Sequence, residues 1–111
     1  MALPPLTPEE RAAALEKAAR ARKERAEVKN RLKRGATTLT DVLKEGRTDD
    51  VIGKMKVSDL LESLPGMGRV RAKQVMDRLG IVESRRVRGL AANQRSALEQ
   101  EIGADRLHRH G

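Results

Sequence analysis

The 111-residue sequence predicts an all-α fold, and three observations carry that prediction. Apolar residues recur at helical spacing, as in Val57, Leu60, Leu61 and Leu64 at i, i+3, i+4 and i+7, whereas strand-like alternation is nearly absent. Helix starts and stops punctuate the chain at short intervals. Phe, Tyr and Trp are all missing, so the core must be built from Leu, Val, Ile, Met and Ala, side chains that suit short, closely packed helices.

Taken in order, the first helix opens on Thr7-Pro8-Glu9-Glu10: Thr as N-cap, Pro in the first turn and acids beside the positive end of the helix dipole. It runs to Arg34 and stops at Gly35, about 27 residues or roughly 40 Å. Its apolar stripe of Ala14, Ala21, Val28 and Leu32 is thin, with only the last two sizeable. The C-terminal end is therefore expected to pack while the N-terminal part projects as a basic rod. Thr38 and Asp41 frame a second helix with Leu39, Val42 and Leu43 inward and Gly46 at its end. Thr48 caps a short third with Val51, Ile52 and Met55 inward. After the stripe 57–64, a Pro-Gly-x-Gly turn leads into a helix with Ala72, Val75, Met76 and Leu79 inward. Gly80 fits the position just past its end, with Ile81 as the following apolar contact. A last helix starts near Asn93 and buries Leu98 and Ile102. This organisation gives a helical arm over 1–35, a domain over 36–102 and a flexible tail over 103–111.

Charge bounds the function. Twenty-four Lys and Arg against 16 Asp and Glu give +8 and a pI near 10.6, the footprint of a protein that meets a polyanion. The excess sits in two blocks of +5, residues 1–34 and 66–88, separated by a segment of −2 over 35–65. Without aromatic rings, base stacking on single strands is unavailable, which favours the backbone of a duplex. A chain without cysteine has no disulfide framework and no thiol chemistry. No apolar run reaches membrane-spanning length and no signal peptide is visible, so a cytoplasmic protein is expected.

Three clusters are candidate phosphate contacts. The turn supplies Gly66, Met67 and Gly68, then Arg69, Arg71 and Lys73. Its glycines let an anion approach backbone N–H groups at a helix N-terminus, and Lys73 lies one turn beyond Arg69. Met67 is expected to plug the turn from below rather than to wedge between bases. The second cluster is Ser84, Arg85, Arg86 and Arg88, a capping residue and three guanidiniums that repel one another unless phosphates lie between them. The third is Lys29, Asn30, Arg31, Lys33 and Arg34, where the arm meets the domain. With two basic blocks, one monomer is expected to present two contact surfaces, the arm carrying the first away from the second.

Enzyme chemistry finds little support. His108 and His110 lack acids or cysteines at metal-ligand spacing, and Asp49-Asp50 reads as a helix N-terminus. Glu16, Glu24 and Glu27 read as partners of neighbouring Lys and Arg. No catalytic residue, metal, cofactor or small-molecule substrate is expected.

Leu64-Pro65-Gly66-Met67-Gly68 with Ala72 and Val75 resembles the hairpin of helix-hairpin-helix DNA-binding proteins. The same hairpin occurs in helix-two-turns-helix domains, including formamidopyrimidine-type DNA glycosylases and a ribosomal protein of the small-subunit head. The chain departs from those glycosylases in having Ala2 where their catalytic proline follows Met. Over roughly residues 1–102 it is more similar to the actinobacterial integration host factors, small basic nucleoid-associated proteins. The matching segments are Met1-Ala2-Leu3-Pro4, Val28 to Arg34, Ile52 to Val57, the hairpin, and Ser84 to Leu90. The resemblance implies a helix-two-turns-helix domain in which residues 84–88 return beside the hairpin. It also implies DNA contact from the arm and a monomer that bends or compacts double-stranded DNA in the nucleoid and assists recombination. A fold shared with the β-ribbon integration host factors is not expected, since strand signals are missing. A ribosome-associated, rRNA-binding role using the same hairpin is the alternative.

Overall fold

A computed structural model describes residues 5–110, with side chains placed through residue 102. The matching segment Met1–Pro4 and the side chains of His108 and His110 therefore lie outside the described residues. Six α-helices follow one another: α1 Pro8–Lys33, α2 Leu39–Glu45, α3 Asp50–Gly53, α4 Val57–Glu62, α5 Arg69–Arg78 and α6 Ala92–His110, with a 3₁₀ turn at Val87–Gly89 before the last.

Local sequence explains the ends of these helices. Thr7 Oγ1 accepts from the Glu10 N–H at 3.1 Å while the Glu10 carboxylate accepts from the Thr7 N–H at 3.4 Å, a reciprocal capping box at the start of α1. At the end of α5 the chain turns left-handed at Gly80, with φ +71°. The Ile81 N–H then reaches the Met76 carbonyl at 2.8 Å, and the Gly80 N–H reaches Asp77 at 3.3 Å. Gln94 locks α6 onto this corner: its Nε2 donates to the Gly80 carbonyl at 3.1 Å, and its Oε1 accepts from the Ala91 N–H at 3.2 Å.

The cap of α3 differs from expectation. Asp49, not Thr48, accepts from the Val51 and Ile52 N–H groups, at 2.8 and 3.2 Å, because its charge completes the positive end of the helix. The Thr48 hydroxyl donates instead to the Glu45 carbonyl. Val51 is only half-buried, while Ile52 and Met55 point inward.

One apolar cluster holds the helices together. Val28 and Leu32 of α1, Val42 and Leu43 of α2, Val57, Leu60 and Leu61 of α4, Met76 of α5 and Leu98 of α6 are its most buried members. The radius of gyration, 16.6 Å, exceeds the roughly 13 Å of a compact chain of this length. The excess comes from α1, in which every residue from Pro8 to Arg20 is exposed. That projecting half is no basic rod: residues 8–20 carry three Lys or Arg and three Glu. The charge of the first block lies on the half of α1 that packs.

Candidate nucleic-acid interface

The hairpin joins α4 to α5. The Met67 N–H bonds the Leu64 carbonyl at 3.1 Å across Pro65 and Gly66, whose φ is +74°, a type II turn that needs glycine at its third position. Met67 is buried, the plug under the turn expected from sequence. Gly68 is a different case. It has an ordinary φ of −88°, and a Cβ there would meet nothing within 4 Å, so the fold does not require glycine. A side chain would stand only in the way of something approaching from outside. No side chain caps α5 at Gly68, and the positive end of its dipole faces outward. Val70, between Arg69 and Arg71, is also strongly exposed.

Cations gather on both flanks. On one side a groove of about 430 Å³ is lined by Lys56, Ser58, Glu62, Arg69, Lys73 and Glu83 among others. Arg69 Nε lies 3.7 Å from the Glu62 carboxylate, an exposed pair worth little to stability. On the other side, Arg22, Arg25, Lys29, Asn30 and Lys33 form a stripe along α1, and their groove closes on Ser63, directly before the hairpin. Sequence reasoning missed Arg22, Arg25 and Lys56. The first two share the 3- and 4-residue spacing of Lys29 and Lys33, a signal that a helical projection could have found. Arg31 is turned away: it faces α2, with its guanidinium 3.9 Å from Glu45. Arg34 is the exposed C-cap of α1, and Arg71 is exposed on α5.

Residues 84–88 return beside the start of α4. Lys56 and Arg86 form an isolated antiparallel bridge, with the Val57 N–H on the Arg85 carbonyl at 3.0 Å and the Val87 N–H on Met55 at 2.9 Å. The three guanidiniums do not simply await phosphates. Arg86 Nη1 donates to the Lys54 carbonyl at 2.7 Å, Arg85 Nη1 to the Gly89 carbonyl at 3.1 Å, and Arg88 pairs with Asp50. The half-buried Arg85 also has an enclosed Nε without a partner among the described residues. Mutual repulsion is thus relieved by carbonyls and a carboxylate of the chain itself. Arg86 and Arg88 remain exposed, yet all three side chains also help hold the loop. Ser84 is exposed.

Glu24 feels the neighbouring Arg31, but Asp49 dominates its surroundings. Its carboxyl is pushed up to about 6, first by a hydrogen bond with Asp49, then by burial and by the charges of Asp49 and Glu27. Asp49 is correspondingly held low by that bond and by the N–H groups it caps. Among the described residues no group of three or more His, Cys, Asp or Glu could hold a metal, and no helix is long and apolar enough to cross a membrane.

This arrangement, short helices around a glycine hairpin with a second turn folded back beside it, defines a helix-two-turns-helix protein. Residues 32–102 match the family described as S13-like H2TH domain. The chain belongs to the actinobacterial integration host factor family, helix-two-turns-helix nucleoid-associated proteins. It is 72% identical over 104 residues to the integration host factor of Streptomyces coelicolor, covering 94% of this chain and 97% of that one. It is 60% identical over 104 residues to the integration host factor of Mycobacterium tuberculosis, covering 94% and 99%. For that of Mycolicibacterium smegmatis it is 61% over 102 residues, covering 92% and 97%. A solved structure of sIHF bound to an 8 bp palindromic DNA superposes with a TM-score of 0.76 at 70% identity, covering 78% of this chain and 97% of that chain.

Proposed function

We propose that this protein is an architectural component of the bacterial nucleoid in the cytoplasm. It grips double-stranded DNA by its phosphates with low sequence specificity, bends or compacts it, and assists site-specific recombination. It is not an enzyme. The observation that carries the reading is the hairpin: a glycine at position 68 that the fold does not need, at an outward-facing helix N-terminus, with basic grooves on both sides. The solved relative with DNA supports the duplex as ligand. Gly66, Gly68, Arg69, Arg71 and Lys73 form the centre of the proposed contact, with Met67 beneath them in a supporting role. Ser84, Arg85, Arg86 and Arg88 flank it on one side and Lys29, Asn30, Lys33 and Arg34 on the other. Arg31, which lies beside Glu45, is placed at the margin of the proposed contact.

Equilibrium binding at several salt concentrations tests this. About six phosphate contacts give a log–log slope near −5, with unrelated duplex sequences bound alike. A shallow slope with strong sequence discrimination overturns backbone recognition. Tighter binding to a matched RNA duplex favours the rRNA reading.

A further inference from the structure

The segment 35–65 is acidic as a sequence, yet its acids are largely occupied in the fold. Glu45 faces Arg31, Asp49 caps α3, Asp50 pairs with Arg88 and Glu62 with Arg69. Two of its cations, Lys44 and Arg47, make no ion pair among the described residues. They lie with Arg95 of α6 around a groove of about 260 Å³ between α2 and α6, completed by Thr40, Ala92, Ser96 and a single acid, Glu99. None of these residues lines the grooves beside the hairpin.

The groove adjoins the 84–88 loop. A Cβ on Gly46 would fall 2.6 Å from Val87 Cγ1, and a Cβ on Gly53 would lie 2.8 Å from the Gly46 carbonyl and 3.2 Å from Arg88 Nε. The end of α2 therefore abuts the 3₁₀ turn and Arg88, and α6 begins four residues after Arg88.

We propose that the α2–α6 groove is a further DNA-backbone contact, in which Lys44, Arg47 and Arg95 take phosphates of the duplex held at the hairpin and the hydroxyls of Thr40 and Ser96 donate to the same oxygens. The inference rests on the DNA-binding reading above. Its chemistry is that of a phosphodiester track: three separate cations with two hydroxyls between them along one open groove. Glu99 weakens the site and marks it as one built for modest affinity.

The test uses full-length protein and a 20 bp duplex, with RNA of the same sequence alongside. Lys44→Ala, Arg47→Ala and Arg95→Ala together remove exposed or half-buried side chains and leave the core intact. They should weaken DNA binding about tenfold at moderate salt and reduce the salt slope by about 2 to 3. Glu99→Gln should tighten binding about twofold, a gain that loss of structure would not produce. Because the chain lacks cysteine, Ser96→Cys carries a single photocrosslinker, which should attach to DNA. Unchanged affinity and slope in the triple variant, with no crosslink from position 96, overturn the proposal while hairpin binding stands. A loss confined to RNA also overturns it. Absence of salt-dependent duplex binding by the unaltered chain removes both readings.

Discussion

The two halves of α1 form one continuous helix and fare differently. From Pro8 to Arg20 every side chain is exposed, Leu15 included, and charges balance. From Ala21 to Arg34 the helix buries Val28 and Leu32 completely and arrays Arg22, Arg25, Lys29 and Lys33 along the groove that ends at Ser63. Helix propensity and the Thr7 cap suffice to extend the rod. Docking depends on two aliphatic side chains, and docking in turn fixes the cations in register with the hairpin. Charge on a helix becomes a site only where the helix is held.

The largest effect expected from breaking this contrast is Leu32→Ala, which removes a fully buried side chain from the seam. It should cost about 2–5 kcal/mol of stability and lower Tm by ten degrees or more, while Leu15→Ala in the projecting half leaves Tm within about a degree. Calorimetry of the two variants decides. Next come the cations. Replacing Arg22, Arg25, Lys29 and Lys33 together by Ala should weaken duplex binding tenfold or more, against less than about twofold for Arg11, Lys17 and Arg20 together. Equal losses would return the interaction to net charge alone.

Truncation sharpens the same comparison. Removing residues 1–20 should spare folding and duplex affinity, since the basic groove starts at Arg22. Removing 1–27 should weaken binding. Light scattering on long DNA then shows whether the projecting half is needed for compaction. Alanine at Arg85, Arg86 and Arg88 together should weaken binding about tenfold and, because these side chains tie the loop to Lys54, Gly89 and Asp50, also lower Tm by several degrees.

The smallest effect is a titration in the seam. Glu24 binds its proton more tightly in the folded chain, about 6 against its ordinary 4.5, so its contribution is present below pH 4.5 and lost as pH rises through 6. Asp49, held low, acts oppositely at more acid pH. Glu24→Gln supplies a permanent donor to Asp49. It should flatten stability between pH 4.5 and 6 and gain less than about 1 kcal/mol at neutral pH after solvent screening. A pH series of melts that leaves the slope intact would reassign it.

Much of this was legible in the sequence. Thr7, Gly35, Gly46 and Gly80 mark helix ends because caps and left-handed turns are local chemistry. The stripe 57–64 and its repeat after the hairpin identified the core faces. What sequence could not supply was pairing across distance. Arg31 opposite Glu45 and Asp50 opposite Arg88 depend on helices brought together by packing. The division of +5, −2 and +5 along the chain dissolved for the same reason, since acids of the middle segment pair with cations from both sides. Arg22 and Arg25 share the helical spacing of Lys29 and Lys33, but it is packing at Val28 and Leu32 that turns this row toward Ser63.

The bridge between Lys56 and Arg86 has a consequence in time. Like the packing of α1 on α4 and of α2 on α6, it closes a long loop, here of about thirty residues, at an entropic cost that only the completed chain can meet. During synthesis the hairpin leaves the ribosome well before Arg86 does. A nascent chain thus displays its turn first and gains the loop that widens its basic face only when residues 85–87 stitch onto 55–57.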